Sequence, residues 1–171
     1  VEVGTQKAWE LCDKYKLPRM VFVTEMDIDN ASFRQVVEDM TEMFGKKLAP
    51  FHLPIRENEK FVGYVNVISE TANRWVGKEV VECEIPEYNK PNLQICRDTL
   101  MEAVAETSEE FMERYFSGET FSEAEIRAAL RTNVWDGSIV PMTMGSSTLM
   151  QGVYTLIDDI IKYVPSPENR E

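Results

Sequence analysis

The chain has 171 residues, 43% hydrophobic and 28% charged, with a net charge of −12, which predicts a soluble globular protein long enough for one good core or one domain with a large insertion. No apolar run approaches the roughly 20 residues of a membrane span, and no basic-then-apolar signal opens the chain. Cys12, Cys83 and Cys96 are odd in number and far apart, which fits reduced thiols in a cytoplasm better than a disulfide frame, and they lack zinc spacing.

Residues 1–16 read as a helix already under way, with Ala8, Trp9, Leu11 and Cys12 as its apolar side. The first residue is Val1, so the sequence predicts a piece of something longer. Arg19 to Val23 reads as a buried strand whose C-terminal end delivers Thr24-Glu25-Met26-Asp27 into a loop. A helix follows from about Ala31 to Phe44, with Phe33, Val36, Val37, Met40 and Met43 at helical spacing, Asn30 as N-cap and Gly45 as the stop. Leu48 to Ile55, Phe61 to Ile68 and Trp75 to Val81 read as short strands of a small antiparallel piece, with turn-like patches at Arg56-Glu57-Asn58-Glu59 and Gly77-Lys78.

From Leu93 to Arg131 the period is helical again, with Leu93, Cys96, Leu100, Ala103 and Val104 in one stripe. Thr107 to Glu110 and Ser122 to Glu125 both read as capping boxes, and Gly118 separates two short helices. Ser138 to Thr143 reads as a second buried strand, Met144-Gly145-Ser146-Ser147 as a loop, and Gln151 to Tyr163 as a closing helix with Val153, Leu156, Ile157, Ile160 and Ile161 facing a core. Pro165 and Pro167 stop that helix and read as a linker start. The expected organisation is therefore two outer β–loop–α units, residues 1–45 and 138–171, around an inserted segment, 46–137.

Charge is unevenly spread. Between Asp98 and Glu125 nine acids face one base, Arg114, a balance of −8. Such a stretch repels a phosphate backbone, so direct nucleic-acid contact is not expected, and a basic protein partner fits better. Asp98, Glu102, Glu106, Glu109 and Glu113 step by three or four, which places them on one helical face if the helix continues past Thr107-Ser108. Read alone, the stripe is as much a solvated face as a docking face.

In open α/β sheets ligands bind at the carboxyl ends of the strands. An Asp at such a tip can accept two N–H bonds from the edge of a guanine, and Thr24-Glu25-Met26-Asp27 nearly spells the guanine-reading motif Asn-Lys-x-Asp. Taken alone, Asp27 is better read as an Asx-turn or helix-start residue, and Gly145-Ser146-Ser147 as a polar β–α loop. His52, the only histidine, joins no Ser/His/Asp or Cys/His set. Trp9, Trp75 and Trp135 read as packing anchors.

Many short matches in the right order change the balance. Thr5-Gln6-Lys7-Ala8-Trp9, Leu17 to Val23, Ala103 to Thr107, Glu110 to Tyr115, Ala124 to Arg131 and Tyr163 to Pro167 together make the chain resemble elongation factor G, a translational GTPase, over essentially its whole length. The resemblance implies the back part of a P-loop-GTPase-like, Rossmann-type α/β domain carrying an inserted α+β subdomain. It implies that Asp27 descends from a guanine site, that the Ser147 N–H faces guanine O6, and that the Ser146 hydroxyl braces Asp27. Thr24 stands where the family has Asn and Glu25 where it has Lys. The shorter hydroxyl reaches less far, and the charge reversal sits near a polyanionic ligand. Losing a charge-assisted contact costs about 1.5–3 kcal/mol, so binding is expected to be weakened or vestigial.

No Gly-x-x-x-x-Gly-Lys-Ser/Thr occurs in the 171 residues, and the magnesium-contacting switch segments are also missing from the match. The resemblance thus implies GTP or GDP with magnesium in a longer parent, no catalytic or metal-ligating residue here, no nucleotide held tightly by this chain, and no GTP hydrolysis by it. It implies the ribosome as partner, with Asp98, Glu102, Glu106 and Glu109 meeting the basic C-terminal domain of the stalk protein. A pure docking module, a ribosomal-protection factor and a degenerate paralogue are the alternatives.

Overall fold

The computed structural model describes residues 1–29, 31–45, 47–77, 79–166 and 168. Along the chain lie α1 (Val3–Lys14), β1 (Val21–Val23), α2 (Phe33–Phe44), β2 (Leu48–Pro50), β3 (His52–Glu57), β4 (Lys60–Asn66), β5 (Thr71–Val76), β6 (Glu79–Cys83), a 3-10 turn (Glu87–Asn89), α3 (Lys90–Ala105), α4 (Glu109–Phe116), α5 (Glu123–Asp136), β7 (Val140–Met144) and α6 (Val153–Tyr163).

Two sheets follow different pairing rules. In the first, β7 is central and parallel to both β1 and β2. All five of its residues are buried, as a strand covered on both faces requires. It tolerates Pro141 for a local reason. Val140 N–H bonds the Lys47 carbonyl on one side and Gly145 N–H the Val23 carbonyl on the other. The donor missing at Pro141 falls on the β1 side, one position before β1 pairing begins at Val21 opposite Met142. The second sheet is an antiparallel meander, β3-β4-β5-β6. Its first turn places Asn58 and Glu59 at φ 49° and 67°, the left-handed pair that a two-residue hairpin needs.

Phe51 joins the sheets. The sequence reads Leu48 to Ile55 as one strand, but the chain changes partner at Phe51. Its N–H donates to the Met142 carbonyl of the parallel sheet, and its carbonyl accepts from Val67, just past the end of β4, both at 2.9 Å. Its ring is fully buried and meets Tyr163 of α6 edge-on at 5.0 Å. One core lies under the meander, where Ile55, Val65 and Val67 pack with Leu100, Val104, Leu130 and Val134 of α3 and α5. A second gathers Trp9, Met26, Phe33, Met40, Val140 and Met142 around the parallel sheet.

Caps explain most helix ends. Ser32 accepts from Gln35 N–H and starts α2 at Phe33, two residues later than expected. Asn30, read as the cap from sequence, lies outside the described residues, as do Lys46, Lys78 and Pro167. Gly45, at φ 89°, ends the helix. Ser122 and Glu125 form both halves of a capping box on α5. The box expected at Thr107 is instead a single cap one residue on. Ser108 accepts from Phe111 N–H, while the Thr107 hydroxyl donates to the Val104 carbonyl.

Three packing expectations need correction. On α6 the buried residues are Asp159 and Tyr163, whereas Ile157, Ile160 and Ile161 are 47%, 43% and 68% exposed. Helical period shows which residues share a face, not which face the rest of the molecule covers. Met43 and Trp135 are likewise largely exposed, whereas Trp9 is buried and stacks on Phe44 at 4.2 Å. The three cysteines are free thiols, each half-buried. Among the described residues, no helix is long and apolar enough to cross a membrane.

Candidate functional site

β1 and β7 run in parallel register, with Val23 opposite Met144, so both strands leave the sheet at the same edge. The ladder continues into the loops. Gly145 N–H donates to the Val23 carbonyl at 2.9 Å, and Met26 N–H donates to the Gly145 carbonyl at 3.1 Å. The Thr24 and Ser147 hydroxyl oxygens stand 3.5 Å apart. The two polar loops singled out from sequence therefore meet.

Close packing holds them there. A Cβ on Gly145 would lie 2.2 Å from the Gln151 carbonyl oxygen and 2.7 Å from the Phe22 ring. Gly152, at φ +76°, would place one 2.5 Å from the Met144 carbonyl oxygen. Each loop also carries a non-glycine residue in the left-handed region, Glu25 at φ 61° and Met150 at φ 57°. Such a conformation costs roughly 1–2 kcal/mol and persists only where surrounding contacts impose it.

Thr24, Glu25, Asp27 and Ser147 are exposed, while Met26 between them is 1% exposed and pins the loop to the core. Among the described residues the Asp27 carboxylate has no hydrogen-bond partner, so its lone pairs face solvent. Ser146 is placed differently from expectation. It is fully buried, its hydroxyl accepts from Leu149 N–H at 3.1 Å, and its N–H donates to the Gln151 carbonyl at 2.9 Å. It closes its own loop and makes no bond to Asp27. A cavity of about 260 Å³ at this edge is lined by Thr24, Glu25, Met26, Asp29 and Ser32, on the α2 side of the loop and away from Ser146 and Ser147.

The sequence profile of the elongation factor Tu GTP binding domain matches residues 1–166. The chain belongs to that family. A crystal structure from Thermus thermophilus is similar at 32% identity with a TM-score of 0.90, over 99% of this chain and 26% of that one. The chain thus spans about a quarter of the length of the solved structure it matches. This is a family of translational GTPase domains that bind guanine nucleotide, and the α/β fold described above is the family's fold.

The acidic stripe occupies two elements. Asp98 and Glu102 are exposed on α3, Glu106 caps its C-terminus, and Glu109 opens α4. Thr107 and Ser108 break the helix, so the condition for one continuous face fails and the face is bent. At the bend lies a hollow of about 370 Å³ lined by Glu106, Glu109, Met112, Glu113 and Phe116, the last 80% exposed.

Two features escaped the sequence reading. His52 is buried with its Nε2 3.5 Å from Asp159 Oδ2, a pairing across 107 residues with no spacing signature. Burial, helped by Lys162, lowers the His52 pKa to about 3; burial, opposed by Lys162, raises Asp159 to about 7. The second is Arg56, which sequence placed in a turn and which stands in β3. Its guanidinium donates to the carbonyls of Met26 at 3.0 Å and Ala31 at 2.8 Å, in the loop that carries Asp27.

Proposed function

We propose that this chain is the base-reading part of an elongation-factor-G-like translational GTPase, working on the ribosome in the cytoplasm in GTP-driven translocation or a related step. The carrying observation is the meeting of the two strand-tip loops, with Thr24 and Ser147 3.5 Å apart beside an exposed Asp27. An Asp so placed can accept the N1–H and N2–H₂ donors of guanine while the neighbouring loop offers its amides to O6. Residues 1–45 and 138–171 form the GTPase-like part in this proposal, and 46–137 the inserted subdomain. β2, inside that insertion, pairs with β7 and ties it to the parallel sheet. GTP or GDP with magnesium belongs to the longer protein, whose phosphate-handling residues would hold the ion. Among the described residues no group of three His, Cys, Asp or Glu is placed to hold a metal.

The test is a nucleotide titration of this chain followed by backbone amide shifts. GDP is expected to move the Asp27 and Ser147 amides with a dissociation constant on the order of 1–10 mM, and ADP to leave them in place. GTP turnover is expected to be undetectable, because the chain carries no phosphate loop. Equal shifts with GDP and ADP would remove the guanine reading; measurable turnover would contradict the assignment of hydrolysis to other parts of the protein.

A second reading is a docking surface for the basic C-terminal domain of the ribosomal stalk protein, through Asp98, Glu102, Glu106 and Glu109. The acid-rimmed hollow over Met112 and Phe116 supports it, since it offers an apolar contact inside a ring of charge. Titration with that domain should show affinity falling about tenfold or more between 0.1 and 1 M salt, where the Debye length shrinks from about 10 to 3 Å. Affinity that holds constant across that range argues against an acidic-face contact.

A further inference from the structure

We propose that Arg56 is a positioning residue for the base-reading loop, holding the Met26 and Ala31 carbonyls from the neighbouring antiparallel sheet so that the loop bearing Asp27 keeps its place against the loop of Ser147. The proposal rests on the reading of Asp27 given above. That loop lies between β1 and α2, and its described residues make two backbone bonds within it. Ile28 N–H donates to the Glu25 carbonyl and Ala31 N–H to the Ile28 carbonyl, each at 3.2 Å. Among the described residues the carbonyls of Met26 and Ala31 have no backbone partner, and backbone acceptors in a partly buried setting need donors.

Arg56 supplies them both. One nitrogen, Nη2, bonds the two carbonyls, while Nη1 donates to the Glu59 carbonyl at 2.7 Å in its own hairpin. The planar fork of a guanidinium suits this task, and a lysine, with its point charge and flexible stem, does not.

The backbone under Arg56 is built to aim it. The register of β3 against β4 shifts between Ile55 and Arg56. Ile55 faces Gly63 and Arg56 faces Phe61, leaving Val62 as the extra residue of a bulge. The extra residue lies on β4, opposite Arg56, and such a bulge raises the local twist of the strand pair. Tyr88, in the turn before α3, fixes β3 at the same point. Its hydroxyl accepts from Arg56 N–H at 2.9 Å and donates to the Arg56 carbonyl at 3.0 Å. The turn that leads into α3 is therefore tied through Tyr88 and Arg56 to the loop bearing Asp27.

The test compares amide hydrogen exchange in the full 171-residue chain with that in Arg56→Gln and Arg56→Lys. Arg56→Gln should speed exchange at Ile28 and Ala31 about tenfold or more, and leave Val23 and Met144 in the parallel sheet unchanged. Arg56→Lys should fall between the two, since charge returns without the fork. The GDP concentration that half-shifts Asp27 should rise about tenfold in Arg56→Gln. Unchanged exchange at Ile28 and Ala31 in Arg56→Gln overturns the proposal. So does equal loss at Val23 and Met144 in both variants, which would mean general loosening. If loop exchange rises as expected but GDP moves neither Asp27 nor Ser147 in the unmodified chain, the loop-holding role stands and the guanine reading falls.

Discussion

Replacing Phe51 with alanine is expected to lower the unfolding free energy by about 3–5 kcal/mol, the range for deleting a buried aromatic ring. The ring is fully buried, contacts Tyr163 edge-on, and belongs to the larger core cluster. Its backbone bonds to Met142 and Val67 survive the substitution, so the loss measures packing at the joint between the sheets. Against a total stability of about 5–15 kcal/mol, that is a large share. Tyr163 anchors the end of α6, so the loop between β7 and α6 should loosen with it. Urea unfolding provides the number, and the control is Phe116→Ala, whose ring is 80% exposed and whose effect should stay within about 0.5 kcal/mol. Similar small losses for both would mean that Phe51 does not join two packed layers.

The buried His52–Asp159 pair should give the largest pH effect, and it should become visible only when one partner is removed. Asp159 has a folded pKa raised by burial from 3.8 to about 7. Its contribution to stability is therefore fully present below about pH 4 and lost as pH rises through about 7. His52 runs the other way. Its pKa is lowered from 6.5 to about 3, so its contribution is present above about pH 6.5 and lost as pH falls through about 3. Between about pH 4 and 6.5 the folded pair and the unfolded pair each hold one proton, and the two dependences cancel. Tyr64 and Asn66 border His52, Thr155 meets the Tyr64 hydroxyl, and Lys162 and Asp158 act on Asp159 from its own helix.

Asp159→Asn should expose the histidine dependence, with stability falling as pH drops from about 6.5 by up to about 1.4 kcal/mol per unit. His52→Asn should expose the opposite slope, with stability falling as pH rises from about 4 to 7. Urea midpoints at several pH values for the three proteins check this. Parallel pH profiles in the two variants would show that burial does not shift the two groups in opposite directions.

Much of the architecture was readable before any coordinates. Met20 to Val23 is apolar and runs into polar loop residues, and Val140 to Met144 is apolar but for Thr143, so both strands declared themselves, although β1, expected to be buried, is only half-buried. Ser122 and Glu125 announced the start of α5, and Gly45 the end of α2. The candidate loops were singled out by resemblance, since Asp27 and Gly145-Ser146-Ser147 taken alone read as ordinary turn residues. Other features carried no such signal. Leu48 to Ile55 has the same period on both sides of Phe51, so nothing local marks the change of sheet. Ser146 was assigned to Asp27 by resemblance, while the loop turns its hydroxyl onto Leu149.

The sequence by itself determined the elements, the tips at which polar residues collect, and the acidic balance from Asp98 to Glu125, because these depend on neighbours within a few positions. Tertiary structure alone decided which face of α6 is covered, that His52 meets Asp159, and that Arg56 reaches the loop of Asp27. Each depends on residues tens of positions apart, brought together by the pairing of β7 with two strands at once and by the placing of the meander against that sheet.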